Sequence, residues 1–456
     1  MKKDFLLFLF LCIINCSGLA QLQQVYSFQK DDTILRKKYG EESIKKKEAF
    51  LTSITKDYRE DYKKIYEEQF KEISTLWKST RPVTSPEASS YILSVAKKII
   101  SANDELKQTD ARIIFSRDWW PNAFSTGEGT IAVNAGLMVY LDNEAELAFV
   151  LSHELAHYYL QHMPKAIKKY VETINSETLK KELKRLSKEQ YRVNQQFEEL
   201  TKSLIFDSRR HSRDNEAEAD MQAFNFMKKT GYDCNAIKTT LQLLDNIDDS
   251  SLFKPLQLED VFNFNEYSFK TRWVQKESSL FSQLDENDSP LSQREDSLKT
   301  HPDCSKRISF LADSLQRINT PGKKFLVDEN VFNKLKKDFL VEIAEQCYNT
   351  DNLSRNLYYS LLLLQARQDT PMAVYSVARC LNQLYEDQKN HKLGLKIDVE
   401  NKKYSADYNL LLRMLGRLHL DEIASLNLYF CKLHYQQMKD YPAFAGEIKK
   451  IPKLKN

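Results

Sequence analysis

Ten glycines and eleven prolines in a chain of 456 residues are the strongest limit on how this protein folds. Tight turns and strand reversals draw on both residue types, because glycine supplies positive φ and proline presets the turn. A chain this poor in them makes few reversals. The expectation is a mainly α protein of α+β type, with one small β-sheet. The length exceeds what one compact domain usually needs. A hydrophobic content of 42% can fill a sizeable core, and a net charge of only +3 gives no ground for a nucleic-acid partner.

Residues 1–20 read as a signal peptide. Lys2 and Lys3 precede the apolar run Phe5 to Ile14, and Gly18-Leu19-Ala20 puts small residues where a signal peptidase reads, before Gln21. Lipid attachment at Cys16 is the alternative, but Asn15 stands where such a signal prefers a small residue. No later stretch approaches roughly 18 uninterrupted apolar residues, so no transmembrane span is expected in the mature chain. It should be soluble and exported, to the periplasm or beyond. Its cysteines, Cys234, Cys304, Cys347, Cys380 and Cys431, form no C-x-x-C pair. Cys234 and Cys304 could join in an oxidising compartment, or all could stay buried free thiols.

Four segments are expected after that reading: the signal peptide, an N-terminal helical segment 21–85, a central domain 86–315, and a C-terminal helical region 316–456. In the second, Tyr58, Tyr62, Tyr66 and Phe70 recur every four residues, with Trp77 beyond; this is a helical stripe for a core. "RPVTSPEAS" (81–89) breaks it, and the helix "SSYILSVAKKIISA" follows. "ARIIFS" (111–116) and "GTIAVN" (129–134) read as strands, with "WWPNAFSTGEG" between them as a turn-rich connector. Asn143 caps the next helix, and Glu146 lies three residues on in a capping-box arrangement. Residues 163–210 are charged and helical, and 250–300 are acidic and loop-rich. From about residue 325 apolar helical segments alternate with short turns, a texture of helical hairpins like tetratricopeptide arrays without a clean repeat.

"LSHELAHYYLQH" (151–162) holds three of the eight histidines. His153 and His157 are four apart and project from one helical face, about 40° from each other. Leu147, Leu151, Leu155 and Tyr158 fall on the opposite side. Glu154, beside the pair, can reach a metal-bound water without ligating the metal. Two nitrogen ligands and a general base make an H-E-x-x-H arrangement. A catalytic zinc needs a third ligand and an open position. "NEAEAD" (215–220) offers Glu216 as that ligand, with Asp220 one turn on to hold a histidine's second nitrogen. Ala217 and Ala219 let the two helices approach, and Glu218 points away, to solvent.

This helix pair resembles the gluzincin metallopeptidases, in the family that includes the CAAX prenyl proteases and their soluble bacterial relatives. The resemblance rests on "NAF" (122–124), "GTIAVNAGLM" (129–138), "NEAELAFVLSHELAHYYLQH" (143–162), "SRDNEAEAD" (212–220) and "HPDCSKRI" (301–308), in that order. It implies a zincin-type core, zinc held by His153, His157 and Glu216, and Glu154 as base. It implies that "NAF" to "GTIAVN" is an edge strand that pairs with an extended peptide. It places His301 near the metal, as a catalytic oxyanion stabiliser or an occupant of the open position; a structural capping histidine is the alternative. Soluble members often carry a helical repeat domain, in keeping with residues 316–456. The long segments 163–210 and 250–300 depart from the family.

Three neighbours complete the expectation. His162 lies five residues after His157, where a metzincin third ligand would need six, and is read as a C-terminal residue of the same helix, favoured by the dipole. His211 is read as solvated. Arg307 pairs either with a site carboxylate or with the oxyanion, a plain ion pair being the alternative. The expected function is a zinc endopeptidase, with one Zn2+ per chain, acting on unfolded or misassembled exported proteins. Its C-terminal helices would contact an envelope protein complex. A chaperone or assembly adaptor with a latched protease site is the alternative.

Overall fold

The structure is a computed structural model that describes residues 30–54, 56–186, 213–246, 254–275, 304–318, 322–367, 370–401 and 404–453. The expected signal peptide, Cys16, His211 and His301 lie outside the described residues. The described chain forms two compact units. One draws on Gln29–Leu252 and Glu277–Gln346, the other on Phe253–Lys276 and Cys347–Asn456.

The first unit is built on a four-stranded sheet of β1 (Pro82–Val83), β2 (Arg112–Ser116), β3 (Ala123–Ser125) and β4 (Thr130–Asn134), in the order β1-β2-β4-β3. β2 and β4 run parallel, with Arg112 opposite Thr130 and Ser116 opposite Asn134; the outer two strands are antiparallel to their neighbours. All residues of the central pair are buried. Ile113, Ile114, Phe115, Ile131 and Val133 suit that place, since β-branched and aromatic side chains fill a strand covered on both faces. "WWPNAFSTGEG", read as a turn-rich connector, contains β3, and Ala123 and Phe124 of that strand belong to the "NAF" that the family resemblance placed at the edge. β3 is one edge of the sheet and β1 the other, while "GTIAVN", expected to belong to the edge strand, is interior.

Helices α1 (Thr33–Ser53) and α2 (Arg59–Lys78) pack against each other, and α3 (Pro86–Ala102) packs on β2. Tyr66, Phe70, Ile73 and Trp77 of α2 are buried with Ile114 and Ala132 of the sheet. Tyr58, the first of the expected stripe, precedes α2 in a left-handed conformation and is exposed. Then come α4 (Ala135–Met138), α5 (Glu144–Tyr159), α6 (His162–Asn175), α7 (Glu177–Leu186), α8 (residues 213–227) and α9 (Asn235–Asp245). In the second unit α10 (Leu258–Phe262) begins the described helices. The first unit resumes with α11 (Cys304–Gln316), which packs on α9, and α12 runs from Glu329 to Asn349.

The second unit is helical, as expected: α13 (Leu353–Gln365), α14 (Thr370–Lys389), α15 (Ala406–Arg417), α16 (Leu420–Met438) and α17 (Pro442–Lys450). α14 packs against α13, α16 and α17. Arg355 lies over the rings of Tyr404 and Tyr408 at 4.6 and 4.3 Å and pairs with Asp398. No helix among the described residues is long and apolar enough to cross a membrane.

What fixes α5 is its first residue. Glu144 is fully buried, and its carboxylate accepts hydrogen bonds from the hydroxyls of Tyr91 (2.8 Å) and Tyr232 (2.6 Å). It also accepts from the backbone N–H groups of Leu326, Val327 and Asp328, at 2.8 to 3.1 Å. A negative charge at a helix N-terminus is further favoured by the helix dipole. Burial and this carboxylate together push both tyrosine hydroxyls well above their ordinary range. Glu144→Ala leaves these buried donors without an acceptor. We expect it to lower stability by at least about 3 kcal/mol, read as a lower urea midpoint; an unchanged midpoint would refute this role.

Candidate metal centre

The Asn143 side chain accepts from the N–H of Glu146 and caps α5 as expected. The reciprocal half of the capping box is displaced by one residue: Glu146 accepts from the N–H of Asp142 (2.7 Å), not Asn143. Residues 144 to 156 are all buried. The leucine side and the face carrying His153 are thus both covered. α5 is a central helix, apolar or internally paired all round, so His153 and Glu154 are enclosed at 5% and 3% exposure.

The four-residue spacing brings the rings of His153 and His157 within 4.6 Å, with their Nε2 atoms 3.0 Å apart. Glu216, on α8, completes a triangle: its Oε2 lies 3.5 Å from Nε2 of His153 and its Oε1 lies 3.4 Å from Nε2 of His157. A four-coordinate zinc with bonds of about 2.1 Å holds its ligand atoms about 3.4 Å apart. The side lengths bracket that value, so these three groups fit a tetrahedral ion.

Asp220 is fully buried one turn further along α8, its Oδ1 3.0 Å from Nδ1 of His153. Arg307, from α11, donates to the same carboxylate through Nε (2.6 Å) and Nη2 (2.7 Å), and its Nη1 lies 3.1 Å from Oε2 of Glu216. Of the two expected partners for Arg307, the structure shows the carboxylates. Burial alone would raise the carboxyl of Asp220, but hydrogen bonds to Arg307 and His153 outweigh it and hold it below its ordinary range. Burial would lower His153, yet Asp220 and Glu216 carry it up to about 9. This pocket favours a positive charge where the histidines meet.

His162 departs from expectation. α5 ends at Tyr159, Gln161 turns left-handed with φ 56°, and His162 is the first residue of α6. Its Nδ1 lies 2.8 Å from Nδ1 of His157, and its Nε2 lies 3.2 Å from Oε2 of Glu218. Glu218, expected to be solvated, keeps 56% of its side-chain surface exposed while reaching this imidazole. Burial and the nearby His157 hold His162 below the usual imidazole range. One signal for the new helix lies in the sequence: Pro164, which is tolerated only in a first turn.

Glu154 and His153 line a cavity of about 20 Å³ together with Asn122, Ala123 and Arg307; this is room for about one water. A wider groove of about 630 Å³ passes His157 and runs along Ser125, Thr126 and Gly127 at the end of the edge strand, with Tyr158 and Met163 on its walls. The connector above α4 approaches so closely that a Cβ on Gly136 would stand 1.9 Å from the carbonyl oxygen of Trp119. That glycine lets the segment bearing Asn122 close over the site. All described cysteines are free and buried, so Cys234 and Cys304 do not pair; burial pushes the Cys234 thiol up to about 11.

Two comparisons bear on this arrangement. The family described as peptidase family M48 matches residues 86–314. A protein of Vibrio cholerae serotype O1, provisionally described as a beta-barrel assembly-enhancing protease, is 28% identical over 85 residues; the match covers 19% of this chain and 17% of the relative.

Removing the guanidinium leaves Asp220 and Glu216 buried without their cation. Arg307→Met should therefore cost about 3–5 kcal/mol in stability, measured by urea unfolding of the full chain. A loss below about 1 kcal/mol would reduce Arg307 to a surface-like ion pair.

Proposed function

The chain belongs to peptidase family M48, a family of gluzincin metallopeptidases, and from that premise we propose that it is a zinc-dependent endopeptidase of exported proteins. One observation carries the proposal: the Nε2 atoms of His153 and His157 lie 3.0 Å apart, with Oε2 and Oε1 of the Glu216 carboxylate 3.5 and 3.4 Å from them in turn, beside a buried glutamate. His153, His157 and Glu216 hold one zinc ion. The metal supplies Lewis acidity and makes water acidic near neutral pH.

The protein groups do the rest. Glu154, in its small cavity, takes the proton from water at a carboxylate oxygen and returns it to the leaving amine. Asp220 fixes the ring of His153 from behind, and Arg307 holds both acidic side chains of α8 in place. The free side of β3 pairs with an extended peptide, and the groove past His157 receives its side chains. Strand addition needs a chain without other backbone partners, which favours unfolded or misassembled substrates. The Vibrio relative's description, a beta-barrel assembly-enhancing protease, favours beta-barrel proteins undergoing assembly as substrates. We assign residues 86–315 to catalysis and the C-terminal helices to contacts with an envelope complex. Export, to the periplasm, follows from the leader expected at residues 1–20. His301 is proposed to act near the metal.

Purified protein should contain about one zinc per chain. Glu154→Gln should keep that zinc and lose about a hundredfold to ten-thousandfold in cleavage of an unfolded polypeptide; cleavage at the wild-type rate rules the base assignment out. Metal binding also has to displace the proton that His153 retains up to about 9. Bound protons oppose the metal, so zinc affinity should rise with pH, roughly tenfold per unit from about pH 6 to about pH 8. A flat profile from metal-competition titrations contradicts the involvement of His153.

A further inference from the structure

His157 differs from His153 in how its second nitrogen is held. A neutral imidazole has one N–H and one bare nitrogen, and only the bare one can bind a metal. In His157 the metal-side atom is Nε2, 3.0 Å from Nε2 of His153 and 3.4 Å from Oε1 of Glu216. The proton of His157 therefore belongs on Nδ1, which meets Nδ1 of His162 at 2.8 Å. Two such nitrogens at this distance share one hydrogen, so His162 must accept. It can do so only with its own proton on Nε2, and that atom lies 3.2 Å from Oε2 of Glu218. An ionised carboxylate only accepts hydrogen bonds, which selects that tautomer.

We propose that Glu218 and His162 form a positioning relay that fixes the tautomer of His157, so that its Nε2 faces the metal. The relay rests on the zinc site proposed above. Backbone geometry supplies an independent argument. In an uninterrupted helix residue 162 would point about 140° away from residue 157. The left-handed Gln161, at φ 56°, breaks the helix and starts α6 with the His162 ring against His157. A left-handed glutamine is itself unfavourable by about 1–2 kcal/mol, so the rest of the structure must hold this turn in place. His153 needs no such relay, because Asp220 reaches its Nδ1 directly at 3.0 Å.

The test uses the full chain and zinc itself. Chelator competition should show that His162→Leu, which cannot accept a hydrogen bond, weakens zinc binding about tenfold to a hundredfold. His162→Asn places an acceptor oxygen near the former Nδ1 and should recover most of that loss. In zinc-loaded, histidine-labelled wild-type protein, nitrogen NMR should show a proton on Nδ1 of His157 and a coupling across the hydrogen bond to His162. Zinc affinity of His162→Leu within about twofold of wild type overturns the relay, as does an Asn variant no better than Leu. If the Leu variant does not fold, the NMR result decides: a His157 proton on Nε2, or no coupling, overturns it. Wild-type protein that binds no zinc removes the metal site and the relay with it. Tight wild-type binding with indifferent His162 variants removes the relay alone.

Discussion

The bidentate pairing of Arg307 with Asp220, extended to Glu216, is the interaction on which the site depends. Two carboxylates one helical turn apart, both buried, repel each other and resist losing water. A guanidinium between them removes both difficulties, because its planar donors match two carboxylates at once. It also ties α11 to α8, and through Asp220 and His153 ties both to α5. The remaining charge is negative, and the two imidazoles sit where it is felt. Such a pocket suits a cation, and the elevated affinity of His153 for a proton is the metal-free expression of the same preference.

The position of α5 depends on a second buried acid. Glu144 gathers two tyrosine hydroxyls and a run of backbone N–H groups at the helix N-terminus. The helix then packs on the sheet with residues 144–156 buried, which keeps Glu154 and His153 away from bulk water. Low water content strengthens every electrostatic contact around them. On the other side, close passage of the Trp119 backbone over Gly136 brings Asn122 and Ala123 to the same cavity. The edge strand, the acid and the histidines are thus positioned by separate pieces of backbone.

Much of this was legible in the residues. Scarce glycine and proline forecast the helical texture, and the apolar runs 111–116 and 129–134 marked the central strands. His153, His157 and Glu216 were readable because helical spacing turns sequence distance into a shared face. Asp220 was readable for the same reason. Features that depend on a change of chain direction were not. The strand at Ala123–Ser125 is short and surrounded by turn residues, so only the family resemblance pointed to an edge there, and pairing with β4 defined its bounds. His162 was misplaced because the left-handed Gln161 has no signature of its own and Pro164, the one signal of a new helix, lies beyond it; Glu218 is exposed as expected, but its contact with His162 was not legible because that partner lies on another helix.

By itself the sequence determined the elements, the chemistry available to them, and which residues share a helical face, since those follow from local periodicity and residue type. Tertiary structure alone decided which faces meet. It put Arg307 between two acids 87 and 91 residues away in the chain, seated His162 against His157, and left β3, among the described residues, with no strand on its outer side, near the histidines. Such contacts arise when helices and strands bury their apolar surfaces together, and no spacing along a single element encodes them.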